Sequence, residues 1–463
     1  MLVPFAIQSA EDRSLPSSAE RAVNFYAQQL PPNAKVPVEI IGTPGFTLFS
    51  GLGGDSIRAM YVWDDNLYAV SGASLYKITS TGSSSVVGSV PSTGTVYMAD
   101  NGAQLGILVG ASMFTFNGTS LAAVTDGDYG GGTSFDVLDG FGVFTQAGSR
   151  QYFISALRNL TSYDALDIAQ AESTPDDLVR VVADRELWFF KTRSTEVWYN
   201  AGTDFPFARV DGGKITKGLA AAKAVARLDN SLAWLGDDRV VYRANGFTPQ
   251  RISTHAIEKK LDDVSDVSDA FAFAYAEEGH SFFVLTVPGQ FTVVYDAATQ
   301  LWHDRESYGY SYWRPSSYAF LPGSHKHLFG DYITGNIYQS SLDVFTENGN
   351  PIIRSATSPP IKVANDRVRA TMHRFEIDFE VGVGLTTGQG SNPQAMLQWS
   401  DDGGKTWSNE HWRTIGPIGN YKKRLVWNRL GQFRHTRTMR VTVSDPVKVV
   451  IAGAYAEVEG GML

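Results

Sequence analysis

Residues Arg185 to Asn200 read RELWFFKTRSTEVWYN. Leu187 and Phe189 alternate with their neighbours, as do Val197 and Tyr199, across a short polar link from Lys191 to Thr195. Period-two alternation in two arms joined by a turn predicts a β-hairpin and not a helix. Trp188 and Trp198 point opposite to those residues, so both faces carry apolar side chains. A strand pair that is apolar on both faces has to be covered on both sides. This hairpin therefore belongs inside a stack of similar units.

Such units recur along the chain. Ala69 to Ile78 reads AVSGASLYKI and Ile107 to Phe116 reads ILVGASMFTF, with the same Gly-Ala-Ser at a spacing of 38. A further 38 residues on, Thr145 to Ile154 reads TQAGSRQYFI, with Tyr152 in the aromatic place. Trp198, Tyr242, Tyr295 and Tyr338 continue the series at spacings of 46, 44, 53 and 43. Two other segments, NSLAWLGDDRVVYRANG from Asn230 and SFFVLTVPGQFTVVYDAATQLW from Ser281, repeat the plan with different residues. Short strands repeating every ~40–50 residues are the signature of a β-propeller. The competing reading is an aromatic-rich sandwich with accidental similarity, and the near-identity of the first pair argues against it. The blade count is open between six and seven.

A chain of 463 residues is longer than one core usually serves. A propeller escapes that limit, because each blade packs only on its neighbours. The 45 glycines and 12% aromatic residues suit many turns and stacked strands. A net charge of −9 argues against a general nucleic-acid coat while leaving room for a local basic surface. Without cysteine there are no disulfides and no thiolate metal sites, which fits folding in a reducing cytoplasm. The N-terminal MLVPFAIQSAEDRS lacks a basic region and meets Glu11 and Asp12 early, unlike a signal peptide. No apolar run approaches the ~18–20 residues of a membrane span, so no membrane insertion is expected.

Three regions follow in order. Residues 1–50 hold Pro4, Pro16, Pro31, Pro32, Pro37 and Pro44 with few consecutive apolar positions, and read as an extended N-terminal arm. It either supplies a propeller-closing strand or reaches a neighbouring subunit. On the second reading, deleting residues 1–40 leaves folded monomers that fail to join tails. Residues 51–345 form the propeller. Within it THAIEKKLDDV, Thr254 to Val264, is the clearest helix, capped by Thr254, with Ile257 and Leu261 inward and Lys259 and Lys260 facing water. Ala220 to Arg227 has helical propensity, but the blade rhythm asks for a strand. ENGNP and SPP, from Glu347 and Ser358, read as linker punctuation. Residues 346–463 then show longer alternating strands, enough for a separate C-terminal β-sandwich. The fold class is all-β.

Candidates for chemistry are few. Ser400 to Trp407, SDDGGKTW, fits the Asp-box pattern of sialidases and other propellers, with Ser400, Asp402, Gly404, Thr406 and Trp407 in the defining places. It specifies a hairpin turn: Asp402 accepts from turn amides, Gly404 supplies a positive φ and Trp407 packs back. One copy outside the propeller points to structure. Gly404-Lys405-Thr406 imitates the end of a phosphate loop, but the first glycine of that motif would have to stand at Trp399. His325 and His327 flank a lysine, Asp126 and Asp128 lack a closing carboxylate, and Asp262, Asp263, Asp266 and Asp269 read as a solvated acidic run. No catalytic, metal or cofactor site is expected.

One segment stands out by charge. YKKRLVWNRLGQFRHTRTMR, Tyr421 to Arg440, carries Lys422, Lys423, Arg424, Arg429, Arg434, Arg437 and Arg440 and no acid. Strand alternation puts Arg434 and His435 on opposite faces, so the charges do not share one surface. Either this is a solvated face, or it meets a polyanion or an acidic partner. On the second reading, changing Arg434, Arg437 and Arg440 together to Glu blocks assembly.

The chain also resembles the tail-hub, or packaged-DNA stabilisation, proteins of short-tailed phages. The matching stretches are RAVNFYAQQL and IGTPGF near the start, and LRNLTSYDALDIAQAESTPDDLVRVVADRELWFFKTRSTEVWYNAGTDFPFARV from Leu157. WLGDDRVVYRANGFTPQRISTHAIEKKL from Trp234 and VWNRLGQFRHTRTMRVTVSDPV from Val426 complete the set. The resemblance implies a structural protein of the virion tail, made in the host bacterial cytoplasm. It implies a homohexameric ring below the portal and its adaptor ring, a channel that retains double-stranded DNA and later passes it, and contact with tail fibres, spikes or a needle. Two other classes remain beside it: a propeller glycoside hydrolase, resting on SDDGGKTW, and a glycan-binding adhesin, resting on Tyr308, Tyr310, Tyr312 and Trp313.

Overall fold

The computed structural model of the chain describes residues 2–460 apart from 4, 6, 16 and 363–368, so Pro4 and Pro16 lie outside the described residues. Six antiparallel four-stranded meanders follow one another at 57–89, 96–123, 132–170, 178–215, 225–251 and 271–304. A seventh is built from Pro315–Leu321, Lys326–Asp331 and Asn336–Ser341, and its fourth strand is Gly45–Gly51 from the start of the chain. These are the blades of a propeller, numbered 1 to 7 here. The seven aromatic positions of the repeat (Tyr76, Phe114, Tyr152, Trp198, Tyr242, Tyr295, Tyr338) each fall on the third strand of one blade.

The two Gly-Ala-Ser copies form tight turns between second and third strands, with Gly72 and Gly110 at positive φ. Glycine adopts that conformation without the Cβ penalty, which is why the turn chemistry repeats. The opening hairpin is Leu187–Lys191 paired with Thr195–Asn200. Its register sets Leu187 opposite Trp198 and Trp188 opposite Val197. The two tryptophans therefore occupy opposite faces. Trp198 joins Phe189 against blade 3, and Trp188 joins Trp234 against blade 5. Both faces are apolar, as the alternation requires.

Seven separate apolar cores separate neighbouring blades. The ring closes where Ile337 and Leu328 meet Ile57 and Leu67. Phe46, on the closing strand, stacks on Tyr338 and Trp313, with ring centroids 5.7 Å apart in each case. Trp313 is wholly buried. It is part of the core and not of an exposed aromatic surface.

The helix is His255–Asp262, capped by the Thr254 side chain, with Ile257 and Leu261 buried. Lys260 does not face water: its ammonium pairs with the buried carboxylate of Asp304. The strand expected near 220 begins at Val225.

The sandwich uses both ends of the chain. Its first sheet runs Phe25–Gln29, Val38–Gly42, Val450–Gly460, Arg369–Phe379, Leu425–Asn428, with Leu2–Val3 also on Val450–Gly460. Its second runs Ala19–Val23, Arg354–Thr357, Thr438–Val443, Gln394–Ser400, His411–Thr414. Of the two readings of residues 1–50, the propeller-closing strand is present as Gly45–Gly51, and the segment before it enters the chain's own sandwich. Val3, Phe5, Phe25 and Ile40 are buried in the core with Phe375, Trp427 and Ile451. The stretch read as a linker also carries structure: Thr346–Glu347 and Asn350–Pro351 pair at the edge of blade 7, and Arg354–Thr357 is a sandwich strand.

Propeller and sandwich are joined directly. Val23 bridges to Asp304, so the second sheet runs on into blade 6. The Asn24 side chain donates to the carbonyls of Glu306 and Ile353 and accepts from the Glu306 amide, at 2.9–3.1 Å.

Candidate functional site

The basic segment lies along the sandwich, and the structure divides it. Arg437 is buried, with its guanidinium paired to both carboxylate oxygens of Asp401 at 2.6 and 2.8 Å. It also donates to the carbonyls of Leu430 and Gln432 and lies over the Phe433 ring at 4.8 Å. Such a fork is a fixed structural clamp, the use for which arginine is suited and lysine is not. Arg440 is half-buried, bonded to the Gln398 amide oxygen and stacked 3.9 Å over Trp407. Burial pulls its guanidinium below the ordinary value, with Glu410 acting the other way. Neither residue is placed to meet a partner by its charged face.

The other five basic residues are at the surface. Arg424, itself exposed, lies 3.6 Å from the half-buried Glu376. Among the described residues no carboxylate pairs with Lys422, Lys423, Arg429 or Arg434. Arg429 takes a positive φ in the turn after Leu425–Asn428 and gives its amide to the His373 carbonyl. Arg434 stands opposite Arg369 across an antiparallel pair. The triple change at 434, 437 and 440 therefore tests folding, because two of its three positions are structural.

Sequence reasoning missed the apolar side chains beside these charges. The loops around 382–391 and 415–424 fold on each other, with Tyr421 against Gly382 and the Ile418 amide against Gly384. At that tip Leu385, Ile418 and Tyr421 are exposed, Tyr421 at 72%. Trp412, 51% exposed, stands on His411–Thr414, the edge strand of the second sheet. Exposed aromatic and aliphatic groups rimmed by Lys422, Lys423 and Arg424 combine an apolar anchor with a charged rim, the anatomy of a protein interface. The available signal was three apolar residues in polar loops, Leu385, Ile418 and Tyr421, and a tryptophan on a short edge strand.

The Asp-box residues form a turn. Asp402 accepts from the amides of Lys405 and Thr406, both at 2.9 Å, and from the hydroxyls of Thr406 and Ser400 at 2.6 and 2.7 Å. Ser400 in turn accepts from the Gly404 amide at 2.7 Å. These bonds, that of the Thr406 hydroxyl first, hold Asp402 well below the usual carboxylate range. Gly404 has φ +94°, and a Cβ there would lie 3.3 Å from that of Ala19. An ionised carboxylate already bonded four ways has no free acid or base function. Because water can replace it at these exposed amides, Asp402→Ala should leave the protein folded, with a melting-temperature change in the range of ordinary surface substitutions. Neither form should hydrolyse a glycoside panel.

The remaining candidates have ordinary roles. Asp126 accepts from the amides of Asp128 and Tyr163, and His327 bonds the Tyr318 hydroxyl. Among the described residues no group of three or more His, Asp or Glu is placed to hold a metal, and no helix is long and apolar enough to cross a membrane.

Comparison with known proteins follows the same division of the chain. The family described as Bacteriophage P22 Gp10, beta-propeller, matches residues 23–344, and that described as Bacteriophage P22 Gp10, beta-sandwich, matches residues 361–459. No curated protein matches the chain. Among solved structures it is similar to the Pan2 WD40 domain of Neurospora crassa, at 7% identity and TM-score 0.42, over 64% of this chain and 95% of that one. BamB from Moraxella catarrhalis is similar at 11% identity and TM-score 0.39, over 68% and 96%. The computationally designed Ika8 protein is similar at 9% identity and TM-score 0.41, over 64% and 99%.

Proposed function

Because the chain belongs to the bacteriophage P22 Gp10 family and is a structural hub or nozzle protein of a phage tail, we propose that it works as a homohexameric ring below the portal and its adaptor ring. The ring closes the tail channel over packaged double-stranded DNA and passes that DNA at ejection. The observation that supports this reading most is a family match running through both the propeller and the sandwich. The chain is made in the host cytoplasm and built into the virion tail, where it meets fibres, spikes or a needle. It has no catalytic role.

The sandwich tip, with Trp412, Ile418, Tyr421, Lys422 and Lys423, is the surface proposed to meet the neighbouring subunit or the adaptor. Exposed aromatics and basic groups are common anchors at interfaces. A protein of net charge −9 offers acidic surface on its other copies. Contacts with DNA are few and salt-screened, since a channel that gripped phosphates tightly would stall passage. Arg437 and Arg440 hold the sandwich together and do not belong to this surface.

Electron microscopy of the protein mixed with its adaptor ring tests the assembly, with six-fold rings expected. The variant Lys422→Glu, Lys423→Glu should keep the wild-type melting temperature, because neither lysine has an ion pair to lose among the described residues and surface substitutions of this kind change stability little. It should nevertheless fail to complete tails, or give heads that leak DNA. Normal infectivity with DNA retained would make the segment a solvated face. A wild-type protein that stays monomeric on adaptor-bearing heads would remove the ring itself.

A further inference from the structure

The channel along the propeller axis carries charge that the assembly does not call for. Every blade contributes its first strand to the wall of this space of about 440 Å³. Aromatic and aliphatic side chains (Phe135, Phe271, Phe273, Val96) make up much of the wall. Four cations also line it, Arg58, Arg180, Lys223 and Arg227, against one carboxylate, Asp136.

Two of the four cations are accounted for. Arg227 bonds Asp136 at 2.7 Å, and Asp136 also takes the amide of Ala183. Arg58 donates to the carbonyls of Gly72, Pro91 and Gly94 at 2.6–2.8 Å, tying blade 1 to the connection before blade 2.

Arg180 and Lys223 are left over. Arg180 gives one nitrogen to the Ala222 carbonyl at 2.9 Å and lies 5.1 Å over the Tyr97 ring. Its Nε is shut off from water and has no partner. The neighbour of Ala222 is Lys223, whose Nζ has neither hydrogen bond nor ion pair among the described residues. Burial pushes the Lys223 ammonium down to about 8, with Arg180 and Arg58 adding to the effect. Burial likewise lowers Arg180. Two half-buried cations lining one space are costly when the carboxylate nearest Arg180, Asp136, is already bonded by Arg227 and the Ala183 amide. In a chain that is acidic overall, this local excess of positive charge is an exception.

We propose that the propeller channel binds a small inorganic oxyanion of the phosphate class between Lys223 and Arg180. A tetrahedral oxyanion has acceptors enough to take Lys223 Nζ and Arg180 Nη2 at once, the terminal nitrogen that has no hydrogen bond among the described residues and is not sealed off as Nε is. The size of the space fits an ion and excludes a nucleic-acid duplex, so this site is separate from any DNA path between subunits. It does not depend on the tail-hub reading.

Calorimetric titration of the full-length protein with inorganic phosphate, at chloride-matched ionic strength, is the first test. Saturable binding is expected, and Lys223→Met should weaken it about 10- to 100-fold, as for loss of one charge-assisted hydrogen bond. That change removes a like charge from beside Arg180, so folding should survive. Reductive methylation of the wild-type protein, read by mass spectrometry, gives the answer without a variant. Phosphate should slow labelling at Lys223 and leave exposed Lys405 unaffected. No saturable heat beyond chloride, undiminished binding by Lys223→Met, or unchanged labelling at Lys223 would overturn the proposal.

Discussion

Deleting residues 1–42 should unfold the sandwich while leaving the propeller blades resistant to protease. The deletion removes Phe25–Gln29 and Val38–Gly42 from one sheet, and Ala19–Val23 from the other, where it sits between Arg354–Thr357 and blade 6. Val3, Phe5, Val23, Phe25 and Ile40 leave the core with them, each no more than 5% exposed. At about 1.5–3 kcal/mol for each large buried side chain, their loss is about 8–15 kcal/mol. That is comparable to the entire net stability of a typical domain, about 5–15 kcal/mol. The closing strand Gly45–Gly51 stays in place, so blade 7 remains four-stranded. Limited proteolysis of the truncated protein should cut first within 354–460. A truncated protein whose C-terminal region stays as resistant as the wild type would show these strands to be accessory after all.

The division between what could be read and what could not is one of distance along the chain. The blades were legible because their signals are local: a turn glycine such as Gly72 or Gly110, a period of two, and an aromatic recurring on each third strand. The helix over 255–262 was legible for the same reason. The sandwich strands that the sequence hid are those whose partners lie hundreds of residues away, such as Val23 with Ser355 and Leu2 with Tyr455. Nothing in AERAV, Ala19–Val23, marks it as an interior strand, since it carries two charged side chains. In the fold Glu20 is buried among the backbone of Ile7 and Gln8, and that burial pushes its carboxyl up to about 7. Proline content pointed the same way, because it breaks the runs on which strand recognition relies.

The candidate site shows the same limit. The excess of basic residues over 421–440 was plain, but its meaning depended on Asp401, which sits in another motif. That carboxylate turns Arg437 inward and makes it part of the core. Lys260 was placed in water because the helix alone puts it there, and only the fold brings Asp304 to it. Trp313 lies in a run of exposed tyrosines yet packs wholly inside, its ring 3.6 Å beneath Arg305.

Asp304→Ala should be the most costly single change at the joint between propeller and sandwich. Its carboxylate is 1% exposed and accepts from the Ser9 hydroxyl at 2.6 Å, from Arg21 Nε at 3.3 Å and from the Lys260 ammonium. Three elements thus converge on one group: the first residues of the chain, the strand Ala19–Val23 and the helix. Burial opposes its ionisation, but Lys260 and Arg21 outweigh that and hold the carboxyl well below its ordinary range. Removing one member of a buried pair costs about 3–5 kcal/mol, because the other charge is stranded. Arg21 is 35% exposed and can turn to water and to Glu306, so its share is screened. About 3 kcal/mol is therefore expected, most of it from Lys260. Since the folded pKa is depressed, this contribution is fully present above the unfolded value of about 4 and is lost only as pH falls through the folded one. The difference between wild type and Asp304→Ala should accordingly be flat from about pH 5 to 8 and shrink below about pH 4. Denaturant unfolding of both forms across that range is the measurement. Adding Lys260→Met to Asp304→Ala should restore part of the loss, because the stranded ammonium is then gone. Equal midpoints for the wild type and the single variant at pH 7 would mean that the joint does not rest on this carboxylate.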